Sequence, residues 1–169
     1  VMPQEVYYSH YTSPVGQLML VGDGASLQAL RFDKVGDSIR PQPDWLRRNA
    51  AFSSVKQQLD AYFAGELTRF SLSLSPQGTD FQCRVWQALQ DIPYGATCSY
   101  LDIANTLSDP NATRAVGAAN GKNPIPIIIP CHRVIGRDGS LTGFGGGLER
   151  KRFLLALEQK NIPFELTGF

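Results

Sequence analysis

Residues Ser99–Gly121 read SYLDIANTLSDPNATRAVGAANG, and the way this stretch punctuates itself decides the fold. Ser99 followed three residues later by Asp102 is a capping-box pattern, with aspartate standing in for the longer glutamate. A helix therefore starts here and runs through LDIANTL. The turn SDPN follows, and a second short helix, ATRAVGAANG, ends at Gly121. Helix, four-residue turn, helix is the geometry of a helix-turn-helix unit.

The second helix is unusual. Ala115, Gly117, Ala118 and Ala119 leave little side-chain bulk, and a glycine inside a helix costs about 1 kcal/mol relative to alanine. Close packing against another helix explains this, and is the reading the small residues alone favour. Approach of the backbone to a surface such as a DNA groove is the other reading. Arg114 at the start and Asn120-Gly121-Lys122 at the end keep it open.

Downstream lies NPIPIIIPCHRVI, residues 123–135, which places Cys131 after an apolar strand, IPIII, and between Pro130 and His132-Arg133. A thiol attacks as the thiolate, and a free cysteine with a pKa of about 8.5 is only a few per cent ionised at neutral pH. A base or cation that lowered it by about two units would make most of the population reactive. His132, Arg133 and backbone donors are the candidates. Adjacent side chains of an extended segment point to opposite sides. His132 can therefore reach Cys131 only if the chain turns at Pro130-Cys131, or through a bridging water. A third group must orient the imidazole. Glu158, on the Leu-rich helix LERKRFLLALEQ, is the outstanding carboxylate, because a buried carboxylate needs a partner. Against this stands plain packing: free cysteine is among the most buried residue types. Cys83 and Cys98 keep that reading.

Upstream, Thr79 or Asp80 caps a helix FQCRVWQALQDI in which Phe81, Val85 and Leu89 share a face, ended by Pro93-Tyr94-Gly95. The first part of the chain alternates instead. VYYSHYTSPVGQLMLVGDGASLQALRF, broken at Ser13-Pro14, Gly22-Asp23-Gly24 and Gly36, predicts hairpin-linked strands. Residues 37–49 predict a surface loop. FSSVKQQLDAYFAG predicts a helix with Phe52, Val55, Leu59 and Tyr62 on one face and Gly65 just past its end, and FSLSLS a further short strand. A junction near Pro76-Gln77-Gly78 divides the chain into lobes 1–77 and 78–169.

Composition narrows the function classes. A chain of 169 residues, 43% hydrophobic and 18% charged, carries a globular core and no disorder signature. Three cysteines make no disulfide framework, which points to the reducing cytoplasm. The start, VMPQEVYYSH, lacks signal-peptide order, and no apolar stretch reaches membrane-spanning length. With no CxxC pair and only His10 and His132, no metal site is signalled. Residues 1–77 balance seven basic against seven acidic side chains. The window 114–152 sets Arg114, Lys122, Arg133, Arg137, Arg150, Lys151 and Arg152 against Asp138 and Glu149, a local +5. A solvated face is the plainer reading; contact with a polyanion is the other.

PCHRV (130–134), preceded by RAVGAANGKNP (114–124) and followed by GFGGG (143–147), resembles the O6-alkylguanine-DNA alkyltransferases, the methylated-DNA–protein-cysteine methyltransferases. TDFQCRVWQAL and IPYGATCSY extend the likeness over about residues 79–158, and the N-terminal part resembles the family more loosely.

The resemblance implies an α/β (α+β) fold, with a ribonuclease H-like lobe of antiparallel sheet and helix and a C-terminal winged helix-turn-helix lobe. It implies direct-reversal repair by base flipping, one alkyl group per molecule passing from O6-alkylguanine (or O4-alkylthymine) to Cys131. His132 would act on Cys131 through a water, and Glu158 would hold His132. Asn123 would brace the turn at the site. Tyr100 would turn the target phosphate and reach the guanine ring, and Arg114 would fill the gap in the stack. The recognition helix, with Ala115, Ala118, Ala119, Asn120, Gly121 and Lys122, would enter the minor groove, which carries little sequence information. The carbonyls of Cys131 and Val134 and the Gly145 N–H would contact the guanine, in a pocket with Pro126, Phe144 and Gly146. Phe144 stands where the family often has tyrosine, and Gly145–Gly147 leave the flank open to groups larger than methyl. No cofactor and no structural zinc are expected, and no inducer role. The implied partner is duplex DNA carrying the lesion, met by a monomer, with clustering on DNA left open. A non-catalytic alkyltransferase-like protein, which typically has tryptophan in place of the cysteine, a plain winged-helix module and a cysteine hydrolase are the rival readings.

Overall fold

The structure is a computed structural model and describes residues 5–33, 39–144 and 146–162. The chain forms two compact units, Val1–Gln77 and Gly78–Phe169.

In the first unit, β1 (Tyr7–Ser13), β2 (Gly16–Gly22), β3 (Leu27–Phe32) and β4 (Leu46–Arg47) form one sheet in the order β3-β2-β1-β4. β1–β2 and β2–β3 are antiparallel hairpins with Tyr7 opposite Gly22 and Leu18 opposite Phe32. The second hairpin bulges at Gly22, where an added Cβ would lie 2.4 Å from the Ser26 carbonyl oxygen. Asp23 closes that turn by accepting from the Ala25 and Ser26 N–H groups. β4 departs from two expectations. It arises inside the expected loop 37–49, and it pairs with β1 in parallel, so the sheet is mixed. The N–H groups of Leu46 and Arg48 donate to the carbonyls of Val6 and Tyr8, which gives this short edge its register.

FSLSLS also departs from expectation. It forms a bridge at Leu27–Leu74, not a strand, and the Gln58 amide occupies both backbone groups of Ser71. The helix α1 (Ser53–Phe63) follows the periodicity, with Phe52, Val55, Leu59 and Tyr62 buried. Its end is a Schellman motif. Gly65 N–H donates to Tyr62 O and Glu66 N–H to Ala61 O, with Gly65 at φ +77°.

The second unit holds α2 (Asp80–Gln90), β5 (Cys98–Ser99), α3 (Tyr100–Thr106), α4 (Thr113–Gly121), β6 (Val134–Ile135) and α5 (Leu148–Lys160). Capping boxes start α2, between Thr79 and Gln82, and α3, between Ser99 and Asp102. α4 packs on both α2 and α3. Its small residues explain how. The Trp86 indole of α2 donates to the Ala119 carbonyl at 2.9 Å, and a Cβ on Gly117 would already touch the Tyr100 ring. β5 and β6 pair in parallel, Cys98 opposite Val134, and this ties the start of α3 to the chain just past Cys131.

Candidate active site

The apolar run before Cys131 is not a strand. Residues 124–129 fold into consecutive bends and turns, and Ile125–Pro130 are all buried. Asn123 makes this shape tenable: its amide nitrogen donates to Ile129 O at 2.8 Å and its amide oxygen accepts from Ile125 N–H at 3.0 Å. Ile127 sits at φ +72°. A β-branched residue there is an outlier costing roughly 1–3 kcal/mol, stored four residues from the thiol. At Pro130 (φ −81°, ψ 64°) the chain makes an inverse γ-turn, with Cys131 N–H donating to Ile129 O at 2.8 Å. Cys131–Arg133 then forms one turn of 3₁₀ helix. This is the turn that an extended reading of the segment lacked.

Cys131, His132 and Arg133 are all buried, as is Glu158 across from them on α5. His132 Nε2 lies 2.7 Å from Glu158 Oε2. Arg133 grips the same carboxylate at two points, Nε to Oε1 at 2.8 Å and Nη2 to Oε2 at 3.0 Å, and its Nη1 donates to Ile92 O at 2.7 Å. Burial alone would push the Glu158 carboxyl up; the hydrogen bonds from His132 and Arg133, with the Arg133 charge, outweigh it and hold it at about 2. Glu158 is thus a carboxylate, which only accepts hydrogen bonds, so the His132 hydrogen sits on Nε2. Burial lowers the pKa of His132 against the pull of Glu158 and keeps the ring neutral. Its Nδ1 is buried with no hydrogen-bond partner among the described residues.

The thiol departs from the expected depression. Burial pushes Cys131 up to about 11, while an Asn123 hydrogen bond, the Lys151 charge and nearby backbone N–H groups pull against it. At neutral pH the resting sulfur carries its proton, and ionising it there costs about 5 kcal/mol. The cation opposing that cost was missed by the sequence reading. Lys151 is fully buried, and its ammonium donates to Val134 O at 2.6 Å and Thr142 O at 2.9 Å. Burial lowers its pKa while Cys131 raises it. Lys151 and Arg133, two members of the basic window, both lie inside the protein. Arg114, Lys122, Arg137 and Arg152 remain exposed.

The other expected residues divide by face. Arg114, Ala115, Ala118, Gly121 and Lys122 are exposed on α4. Ala119 and Asn120, expected at a DNA surface, point inward instead. Ala119 is buried beside Trp86, and Asn120 reaches toward the Cys131 carbonyl with Nδ2 at 3.4 Å. The reason is helical phase: they share the inner face with Val116. Tyr100 opens α3, and its hydroxyl meets Thr142 Oγ1 at 2.6 Å. Pro126 and Val134 are buried, whereas Phe144 and Gly146 are half-buried. Gly145 lies outside the described residues. Among the described residues no three His, Cys, Asp or Glu side chains converge to hold a metal ion, and no helix is long and apolar enough to cross a membrane.

Residues 6–76 match the family model for the 6-O-methylguanine DNA methyltransferase ribonuclease-like domain, and residues 80–160 match that for its DNA binding domain. A methylated-DNA–protein-cysteine methyltransferase of Mycobacterium tuberculosis is 52% identical over 165 residues, covering 97% of this chain and 99% of the relative. One from Methanosarcina barkeri is 50% identical over 157 residues, covering 93% and 99%. The crystal structure of the M. tuberculosis O6-methylguanine methyltransferase superposes with a TM-score of 0.87 at 53% identity, covering 97% of this chain and 99% of that one. An M. tuberculosis structure in complex with DNA gives 0.86 at 52%, covering 95% and 98%. With its two matched regions accounting for almost the whole sequence, the chain belongs to the 6-O-methylguanine DNA methyltransferase family.

Proposed function

We propose that this protein repairs alkylated DNA by moving the alkyl group from O6 of guanine, or O4 of thymine, onto Cys131, once per molecule. One observation carries the reading. A buried cysteine follows an inverse γ-turn, next to a neutral histidine whose Nε2 is tied to an ionised glutamate and whose Nδ1 has no hydrogen-bond partner among the described residues. Inert packing of a thiol calls for none of this.

Cys131 attacks the alkyl carbon in line. The S–C bond forms as the C–O6 bond breaks, and the electron pair returns to the guanine. The thiol proton passes, through a bridging water, to His132 Nδ1, and Glu158 steadies the imidazolium that results. Lys151 offsets the negative charge growing on sulfur. Guanine regains a proton on its ring as it leaves, with the Tyr100 hydroxyl as donor. The tyrosinate recovers its proton as the His132 imidazolium returns one through water, so the net change is one alkyl group and one proton passed between sulfur and guanine. The product is a thioether, which offers no acyl carbon to water, so the thiol is not regenerated.

The lesion lies inside the duplex, so the nucleotide is extruded, at a cost of a few kcal/mol. Arg114, exposed at the start of α4, fills the vacancy. The outer face of α4, with Ala115 and Ala118, lets the backbone approach the minor groove. Arg114, Lys122, Arg137 and Arg152 supply sequence-indifferent, salt-dependent affinity for phosphates. Carbonyl oxygens have two lone pairs, so Val134 O can accept from the guanine amino group as well as from Lys151. The protein acts as a monomer.

Incubation with duplex containing O6-methylguanine, followed by peptide mass mapping, tests the reading. A single added methyl on the Cys131 peptide is expected. Methyl on Cys83 or Cys98 instead, or none, would overturn it.

A further inference from the structure

Arg133 follows the nucleophile by two residues and is only 6% exposed, and its guanidinium is directed at Glu158 and the Ile92 carbonyl. Its two-point grip on Glu158, its bond to Ile92 O and its stacking at 5.7 Å over the Tyr94 ring spend the whole side chain inside the protein. Buried ion pairs are often no better for stability than apolar residues of the same volume. A stability role alone is therefore a weak account of it.

Counting charge in the cluster gives a stronger one. Glu158 has two cationic candidates, Arg133 and His132. With Arg133 present, the neutral total is reached with His132 uncharged, and a proton on the ring would leave a net positive charge in a buried site. Without Arg133, the neutral total requires His132 to be an imidazolium. This count covers the hydrogen-bonded trio of Arg133, Glu158 and His132; the charge of Lys151 works against a proton on the ring with or without Arg133, so the difference between the two cases stands. Lys151 from α5 opposes a charge on His132, Tyr94 from the α2–α3 connection faces Glu158, Gly95 N–H donates weakly to Oε1 at 3.4 Å, and Cys131 is protonated.

We infer that Arg133 is a positioning residue: by neutralising Glu158 through a two-point contact it keeps His132 an uncharged imidazole, with its hydrogen on Nε2 and its Nδ1 lone pair available for the Cys131 proton. The catalytic consequence rests on the function proposed above; the state of the ring does not. Arg133 touches no reacting atom. It sets whether the group that does is a base or an acid.

The protein has two histidines, so His10→Gln leaves one imidazole to follow by nitrogen-resolved NMR across a pH titration. In that background His132 is expected neutral, as the Nε2–H tautomer, at neutral pH. Arg133→Gln should raise its pKa by about one unit or more and move the acid limb of the transfer rate upward by the same shift. Arg133→Lys, which retains charge but not the fork, should hold the pKa closer to that of the parent. A folded Arg133→Gln protein with an unshifted His132 would overturn the inference. If that variant does not fold, the parent still decides, because an imidazolium or an Nδ1–H tautomer at neutral pH sinks it outright. A protein with the expected ring state but no alkyl transfer would fail the proposed function and leave this inference standing.

Discussion

The Lys151 ammonium donates a 2.6 Å hydrogen bond to the carbonyl of Val134, three residues past the nucleophile, and both residues are fully buried. One turn into α5, this lysine closes the loop that leads from Cys131 through β6 back toward the helix. It also places a full positive charge inside the site. Its second acceptor, Thr142 O, belongs to the residue whose hydroxyl meets Tyr100. The same cation thus holds the carbonyls of Val134 and Thr142 together and favours the ionised sulfur.

Replacing Lys151 with methionine should therefore raise the Cys131 pKa further. In a Cys83→Ser background, alkylation of Cys131 by iodoacetamide at neutral pH should slow by about tenfold for each unit of that rise. Lys151→Arg should lose less. An unchanged rate in a folded Lys151→Met protein would remove the lysine from this role.

Arg114→Ala should slow repair in duplex DNA more than reaction with the free modified base. Only the duplex reaction includes extrusion of the nucleotide and filling of the gap. Parallel single-turnover rates on the two substrates check this, and equal slowing of both would contradict it.

Tyr100→Phe removes a hydroxyl while leaving the ring against Gly117. Transfer should slow by roughly tenfold or more at the chemical or rotation step, with duplex affinity little changed. A loss confined to affinity would refute the assignment.

Glu158 links the site to stability. Its folded pKa of about 2 lies below the ordinary value of 4.5. Its contribution is fully present above the ordinary value and is lost as pH falls through that of the folded protein. The contribution is about 3 kcal/mol. Urea unfolding followed from neutral pH downward should show this loss, and Glu158→Gln should start lower and flatten the curve. Parallel curves for the two proteins would contradict the link.

Local punctuation made much of this architecture readable. The capping pair Ser99–Asp102, the apolar spacing of α1 and Gly65 at its end each act within one turn of chain, and the structure has them where the sequence places them. What escaped depends on distant partners. β4 owes its existence to the edge that β1 offers, not to its own two residues. IPIII has strand-like composition, but Asn123 and the positive φ at Ile127 hold it as a turn. Lys151 reads as surface charge, and Arg133 as surface charge or a cation beside the thiol, because nothing nearby in sequence pairs them with the carboxylate of Glu158 or the carbonyls of Val134 and Thr142. Ala119 and Asn120 were placed outward because the small-residue pattern does not say which side of α4 meets Trp86.

The central claim, that the Cys131 sulfur takes the alkyl group and keeps it, is tested most directly by counting. Duplex carrying labelled O6-methylguanine is added in excess, and protein-bound label is followed to completion. The account predicts saturation at one label per molecule, with none in Cys131→Ser. Demethylation that continues past that equivalence, or survives loss of the sulfur, would contradict it.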